Sequence, residues 1–168
     1  MIEGNIYCSD NSCGTVPDDI NLGQFAYDAT LKRINTSDPA IFDVWVQAGP
    51  NPNYCGDNIK EYVFNNGHFS YQGEFECGAD TLICAGEPND SYSGPKYFKD
   101  SRGYEFLFYS HGNADCYNGA LEFKYRSSSM TSWSEAYTLF KVATENISSC
   151  NCLGGIARVT VIEVGQYF

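Results

Sequence analysis

Positive charge is scarce in this chain. Ten Lys and Arg stand against 21 Asp and Glu, a formal net charge of −11. A field of that sign repels phosphate backbones and anionic headgroups, which argues against nucleic-acid binding and adsorption to acidic membranes. Long apolar runs are also lacking. None approaches the roughly 20 residues needed to span a bilayer, so no membrane insertion is expected. The opening Met1-Ile2-Glu3-Gly4-Asn5 has neither the charged nor the apolar region of a signal peptide. Either the leader of an exported precursor is missing ahead of Met1 or the protein is not exported, and the cysteines are what choose between these expectations. No helical periodicity of useful length occurs. Gly-x-Ser-x-Gly, His-Glu-x-x-His and phosphate-loop motifs are missing. Histidine is limited to His68 and His111.

What is present is globular in character. The 168 residues fit a single domain over 1–168, and a domain of this size buries roughly 70% of its unfolded surface. Hydrophobic residues reach 43% while charged residues stop at 18%, which separates the chain from disordered sequences. With 13 Tyr and 11 Phe, many rings carry a hydroxyl that needs water or a partner.

Eight cysteines, Cys8, Cys13, Cys55, Cys77, Cys84, Cys116, Cys150 and Cys152, lie scattered among Gly, Asn and Ser. An even, dispersed set reads as a disulfide framework of an oxidising compartment. Structural zinc would show paired knuckles. Here only Cys8 and Cys13 have a fitting spacing, and no C-x-x-C occurs. Cys77 and Cys84 flank a segment short enough for a local loop, whereas Cys150 and Cys152 are too close to favour each other. Asn35-Thr36-Ser37, Asn89-Asp90-Ser91 and Asn146-Ile147-Ser148 are glycosylation sequons that fit an extracellular glycoprotein.

Strand signals recur along the chain. Asp43 to Ala48 is β-prone and ends at the Gly49-Pro50-Asn51-Pro52 breaker. Glu61 to Phe64, Asn65-Asn66-Gly67 and His68 to Cys77 read as a hairpin, because Phe69, Tyr71, Phe75 and Cys77 alternate after an Asn-Gly turn. Further strands are expected at Thr81–Cys84, Tyr104–Tyr109, Leu121–Arg126, Tyr137–Val142 and Ile156–Val164, the last with both faces covered. Phe25 to Leu31 reads as a strand, with a helix through Leu22, Phe25, Ala26 and Ala29 as its rival. A short helical turn is expected at Thr131–Glu135. The expected fold is all-β, a disulfide-stabilised β-sandwich or jelly roll with at most one or two short helices. Long loops are expected at Gly49–Lys60, Ala85–Gly103 and Ser110–Gly119, where function tends to sit.

Two loop features suggest chemistry. Glu87, Asn89 and Asp90, with Asp115 from the second oxygen-rich loop, offer hard oxygen donors suited to Ca²⁺. The Glu87-Pro88-Asn89 triplet resembles that of mannose-type C-type lectins, where the Glu and Asn hold calcium and sugar hydroxyls together. The resemblance covers only these three residues, since no Trp-Asn-Asp and no helical half precede or follow them. The bland alternative is a polar turn, which Pro, Asn and Asp favour for local reasons. The second feature is the set Tyr92, Tyr97, Tyr117 and Trp133, with Asn113 nearby. Aromatic faces stack on sugar C–H surfaces and the amide bonds hydroxyls. The alternative is that these rings cap the open ends of the core.

Catalysis has weaker support. Ser110, His111 and Asp115 have the residue types of a triad without its geometry. Glu74, Glu76, Glu105 and Glu122 would have to face inward in a pair to hydrolyse a glycosidic bond, and outward-facing strand carboxylates are the alternative. The sequence thus leads to an extracellular or cell-surface, lectin-like carbohydrate-binding module, calcium-assisted, with a glycan or polysaccharide as partner. A secreted structural or adhesive subunit, self-associating through an edge strand such as Gly165–Phe168, is the second expectation. A small carbohydrate-active hydrolase is the third.

Overall fold

The structure is a computed structural model and describes residues 25–37, 39–49, 58–76, 90–113, 119–142, 160–162 and 164. These form eight strands: β1 Phe25–Arg33, β2 Ile41–Gly49, β3 Asn58–Asn65, β4 His68–Glu76, β5 Asp90–Lys99, β6 Glu105–Asn113, β7 Gly119–Arg126 and β8 Tyr137–Val142. They make two four-stranded antiparallel sheets in the orders β1-β2-β3-β4 and β5-β6-β7-β8. Each sheet is a meander, so every strand pairs with its neighbour in sequence. No helix occurs among the described residues.

Local chemistry explains the turns. Asn66 and Gly67 stand at φ 50° and 82°, the left-handed pair that a two-residue hairpin turn needs for its twist to match the strands. Asn65 then pairs with His68, and the register runs back through Phe64–Phe69. At the β5–β6 corner, the Asp100 carboxylate accepts from the backbone N–H of Arg102 at 3.0 Å and of Tyr104 at 2.8 Å. One short acidic side chain thereby organises the whole turn.

The strand expectations at β1, β2, the hairpin, β6, β7 and β8 agree with the structure, and β1 is a strand rather than a helix. Other expectations need correction. Thr131–Glu135 is not a helical turn: Ser134 donates its N–H to the Tyr125 carbonyl at 2.8 Å and accepts the Tyr125 N–H at 3.0 Å, which holds the segment extended beside β7. Of the expected strand Ile156–Val164, residues 160–162 and 164 are described: Thr160–Ile162 carries no strand, Val164 forms an isolated bridge, and Ile162 and Val164 are exposed rather than covered on both faces. The expected strand Thr81–Cys84 and all eight cysteines lie outside the described residues.

The expected loop Ala85–Gly103 contains β5, and here the sequence misleads. Ser93-Gly94-Pro95 looks like a breaker, yet the strand absorbs it as a register shift between Ser93 and Lys96. Gly94 supplies φ 60°, and Pro95 is tolerated because β5 is an edge strand that needs no ladder donor there. Two of its edge donors find partners in the other sheet. Gly94 N–H donates to Gln47 Oε1 and Tyr97 N–H to Thr30 Oγ1, both at 3.0 Å. Those two bonds stitch β5 onto β2 and β1 of the other sheet.

Between the sheets lies an aromatic core. Trp45 stacks on Tyr97 with centroids 5.5 Å apart and planes 9° from parallel, and Trp133 meets it edge-on at 6.0 Å. Phe75 packs edge-on against both Trp133 and Tyr109. Trp45, Ile59, Leu107 and Tyr109 have no exposed surface. Each such ring pair adds about 0.5–1.5 kcal/mol beyond the burial of its area.

Candidate functional site

The first question is where the anticipated residues lie. Tyr92 and Tyr97 are not loop residues. Both sit on β5 and face the core, Tyr92 stacked on His111 at 4.4 Å and Tyr97 on Trp45. Trp133 lies between β7 and β8, half-buried against the same core, with the Arg126 guanidinium 4.5 Å above its ring. These three rings pack against the core cluster, the placement that the core-capping alternative describes. Glu87, Asn89, Asp115 and Tyr117 lie outside the described residues. Asp90 opens β5 and pairs in register with Asn113 at the end of β6. The backbone thus brings the two oxygen-rich stretches to the same end of one sheet. Among the described residues no group of three or more His, Cys, Asp or Glu is arranged to hold a metal ion.

Of the four strand carboxylates, Glu76, Glu105 and Glu122 face inward, whereas Glu74 accepts the Tyr71 hydroxyl at 2.6 Å beside the Tyr62 ring, away from the core between the sheets. Along β7, Glu122, Lys124 and Arg126 alternate with Leu121, Phe123 and Tyr125, and the charged parity is the one that meets the opposite sheet. Arg126 Nε donates to Glu105 Oε2 at 2.7 Å, and Lys32 Nζ reaches Glu105 Oε1 at 2.7 Å. Both cations also lie 3.8 Å from Asp43. At the other flank, Lys124 holds Glu76 at 2.6 Å, while Tyr109 donates its hydroxyl to the same oxygen at 2.6 Å. His111, expected in a loop, lies on β6 and contacts Glu122 at 3.2 Å.

Electrostatics follow from those partners. Burial raises the Glu105 carboxyl, but the hydrogen bonds and charges of Lys32 and Arg126 outweigh it and hold the group below its usual range. The His111 hydrogen bond does the same for Glu122 against a burial penalty. Burial pushes Asp43 upward despite Lys32 and Arg126, and it pushes Glu61 upward with help from the Asp43 charge. A glycosidase needs one carboxyl raised to serve as general acid at an open cleft. Glu105, held by Lys32 and Arg126, and Glu122, hydrogen-bonded by His111, shift the other way, as structurally paired carboxylates do; the raised groups are Asp43 and Glu61.

Putting charge inside puts rings outside. Phe106 and Phe108 on β6, Phe123 and Tyr125 on β7, Phe98 on β5 and Tyr137 on β8 all occupy the outward parity of the second sheet. Their rings form a continuous network with neighbouring centroids 5.5–6.4 Å apart, from Phe98–Phe106 through Phe108–Phe123 to Tyr125–Tyr137. Tyr104 joins it from the β5–β6 corner, 6.3 Å from Tyr125. The middle of the network is buried, with Phe106 6% and Phe108 3% exposed, whereas Tyr104 and Tyr137 at the margins are 38% and 49% exposed. Arg102, Tyr104, Phe106, Phe123 and Tyr125 line a shallow depression of about 330 Å³.

Arg102 is fixed at the margin of that depression. Its Nε and Nη2 reach Asp100 Oδ2 at 2.9 and 2.7 Å, and its guanidinium carbon sits 5.5 Å from the Tyr104 ring centre. Burial works against the Asp100 charge, but the Arg102 and Tyr104 hydrogen bonds hold its carboxyl below the usual range. An outward, contiguous aromatic face marks an interaction surface far more often than scattered exposed rings do. Sequence reading missed it because alternation along β7 names two faces without saying which is buried. The available signal was the density of rings on 104, 106, 108, 123 and 125. No protein-family model, curated protein or solved structure matches this chain, so its own residues carry the functional argument.

Proposed function

We propose that this protein is an extracellular carbohydrate-binding module, built as a β-sandwich, that takes a glycan on the outer aromatic face of the β5-β6-β7-β8 sheet. The observation that carries the reading is the ring network with Tyr104, Tyr125 and Tyr137 toward its open margin and Arg102 fixed beside it. Flat rings offer dispersion and C–H contact to pyranose faces, while phenol and guanidinium groups offer hydrogen bonds to hydroxyls. The dispersed cysteines and sequons support an extracellular setting and a disulfide-stabilised fold. Calcium assistance is a separate part of the proposal, motivated by the Asp90–Asn113 backbone pairing, with Glu87, Asn89, Asp90 and Asp115 as the ligands.

The test is a glycan and polysaccharide screen of the protein and of a Tyr104→Ala/Tyr137→Ala variant, each with calcium and with chelator. Selective binding lost in the variant supports the face. Equal binding by both proteins removes it. Loss with chelator supports the calcium component, and indifference to chelator overturns that component alone.

A second reading, an adhesive or assembly subunit, is favoured by one observation: Leu139 and Phe140 on β8 are about half exposed, on a strand at the end of the sheet order. Sizing at micromolar concentration without any ligand discriminates, since concentration-dependent oligomers would support assembly and a constant monomer would oppose it.

A further inference from the structure

Granting that the aromatic face is a glycan site, its shape and charge narrow the ligand class. We propose that it binds a single neutral polysaccharide chain running across β6, β7 and β8, and neither a crystalline polymer surface nor an acidic glycan. The argument rests on ring orientation. Tyr104, Tyr125 and Tyr137 follow one another with centroid steps of 6.3 and 5.8 Å, but their planes turn by 50° and 42°. A crystal face is flat and demands coplanar rings to contact all of them at once. Rings that rotate from step to step match a lone chain, whose successive sugars are free to turn about their linkages. The concave floor lined by Phe106 and Phe123 fits the same occupant, because a rigid plane would bridge it without contact.

Charge settles the second half of the choice. Arg102 is the cation lining the depression, and Asp100 compensates it through two short contacts. The chain as a whole carries −11. Carboxylate- or sulfate-bearing polymers therefore meet a repulsive field with no uncompensated cation in that lining to offset it. Neutral hydroxyls face no such penalty, and the Arg102 side chain, 57% exposed, still carries the N–H donors on Nη1.

The experiment measures binding to soluble neutral oligosaccharides of two to six units, to crystalline cellulose and chitin, and to polygalacturonate. The series is run on the protein and on Tyr104→Ala, Tyr137→Ala and, as a control on the other sheet, Tyr71→Ala. The result expected is affinity that rises with length to about three units, with each outer-face substitution weakening it about threefold to tenfold and Tyr71→Ala leaving it unchanged. Retention on the crystalline polymers through Tyr104 and Tyr137 without binding to soluble chains overturns the single-chain inference while keeping the face. Preference for polygalacturonate through the same residues overturns the neutral assignment. No binding to any polymer, or binding indifferent to Tyr104 and Tyr137, overturns the face itself.

Discussion

The two faces of the β5-β6-β7-β8 sheet are made by the same strands and differ in everything else. The inner face carries Glu105, Leu107, Tyr109, His111, Glu122, Lys124 and Arg126; Glu105, Lys124 and Arg126 each have a partner of opposite charge and Glu122 contacts the His111 ring. The outer face carries Phe106, Phe108, Phe123 and Tyr125, which pack on one another. A half-buried antiparallel sheet ordinarily turns its apolar parity inward. This one reserves the interior for rings flanked by ion pairs and leaves a second set of rings outside. The lesson is that burial alone does not reveal the working surface here, because both faces are aromatic. What separates them is whether the ring edges are completed by the opposite sheet or left open at Tyr104 and Tyr137.

The comparison breaks most visibly in the core. Trp45→Ala should cost about 3–5 kcal/mol, because a stacked and an edge-on partner both lose their contacts. Chemical denaturation measures it, and a loss below about 1 kcal/mol would mean that the two sheets do not share this core. Next is the ion network. Glu105→Gln should cost about 1–3 kcal/mol by leaving Lys32 and Arg126 without their shortest contacts.

The same network predicts a pH profile. Glu105 and Glu122 titrate below their ordinary values when folded, so their contribution is complete above that ordinary range and is lost as pH falls through the lowered values. Asp43 and Glu61 are raised, so they bind protons more readily in the folded state and oppose any loss as pH first falls from neutrality. Stability should hold or rise between about pH 7 and 5 and drop below about pH 4. Glu105→Gln should flatten the acid limb, and a steady decline beginning at pH 7 would contradict this assignment. The smallest effect belongs to the outer margin. Tyr104→Ala should change stability by no more than about 1 kcal/mol while weakening glycan binding.

Much of this architecture was legible. The Asn66-Gly67 turn, the alternation in β4 and the β-prone runs of β2, β7 and β8 are local signals whose physics does not need the rest of the chain. Strand β5 was hidden because Gly94 and Pro95 are breakers in a central strand but tolerable at an edge with a bulge. The site was hidden for a different reason. Tyr92, Tyr97 and Trp133 lie among Gly, Ser and Asn, which suggests loops, yet the opposite sheet supplies Trp45, Phe75 and Ile59 to bury them. Which parity of β7 turns inward depends on Glu76 and Asp43 waiting across the layer. No window of sequence around β7 contains that information.

The most direct test of the central claim is chemical-shift mapping of the labelled protein against a soluble neutral oligosaccharide. The account predicts perturbations concentrated on Arg102, Tyr104, Phe123, Tyr125 and Tyr137, with the rings of Trp45 and Tyr97 unchanged. Perturbations confined instead to the segments 85–90 and 113–117, or spread through the core between the sheets, would contradict it.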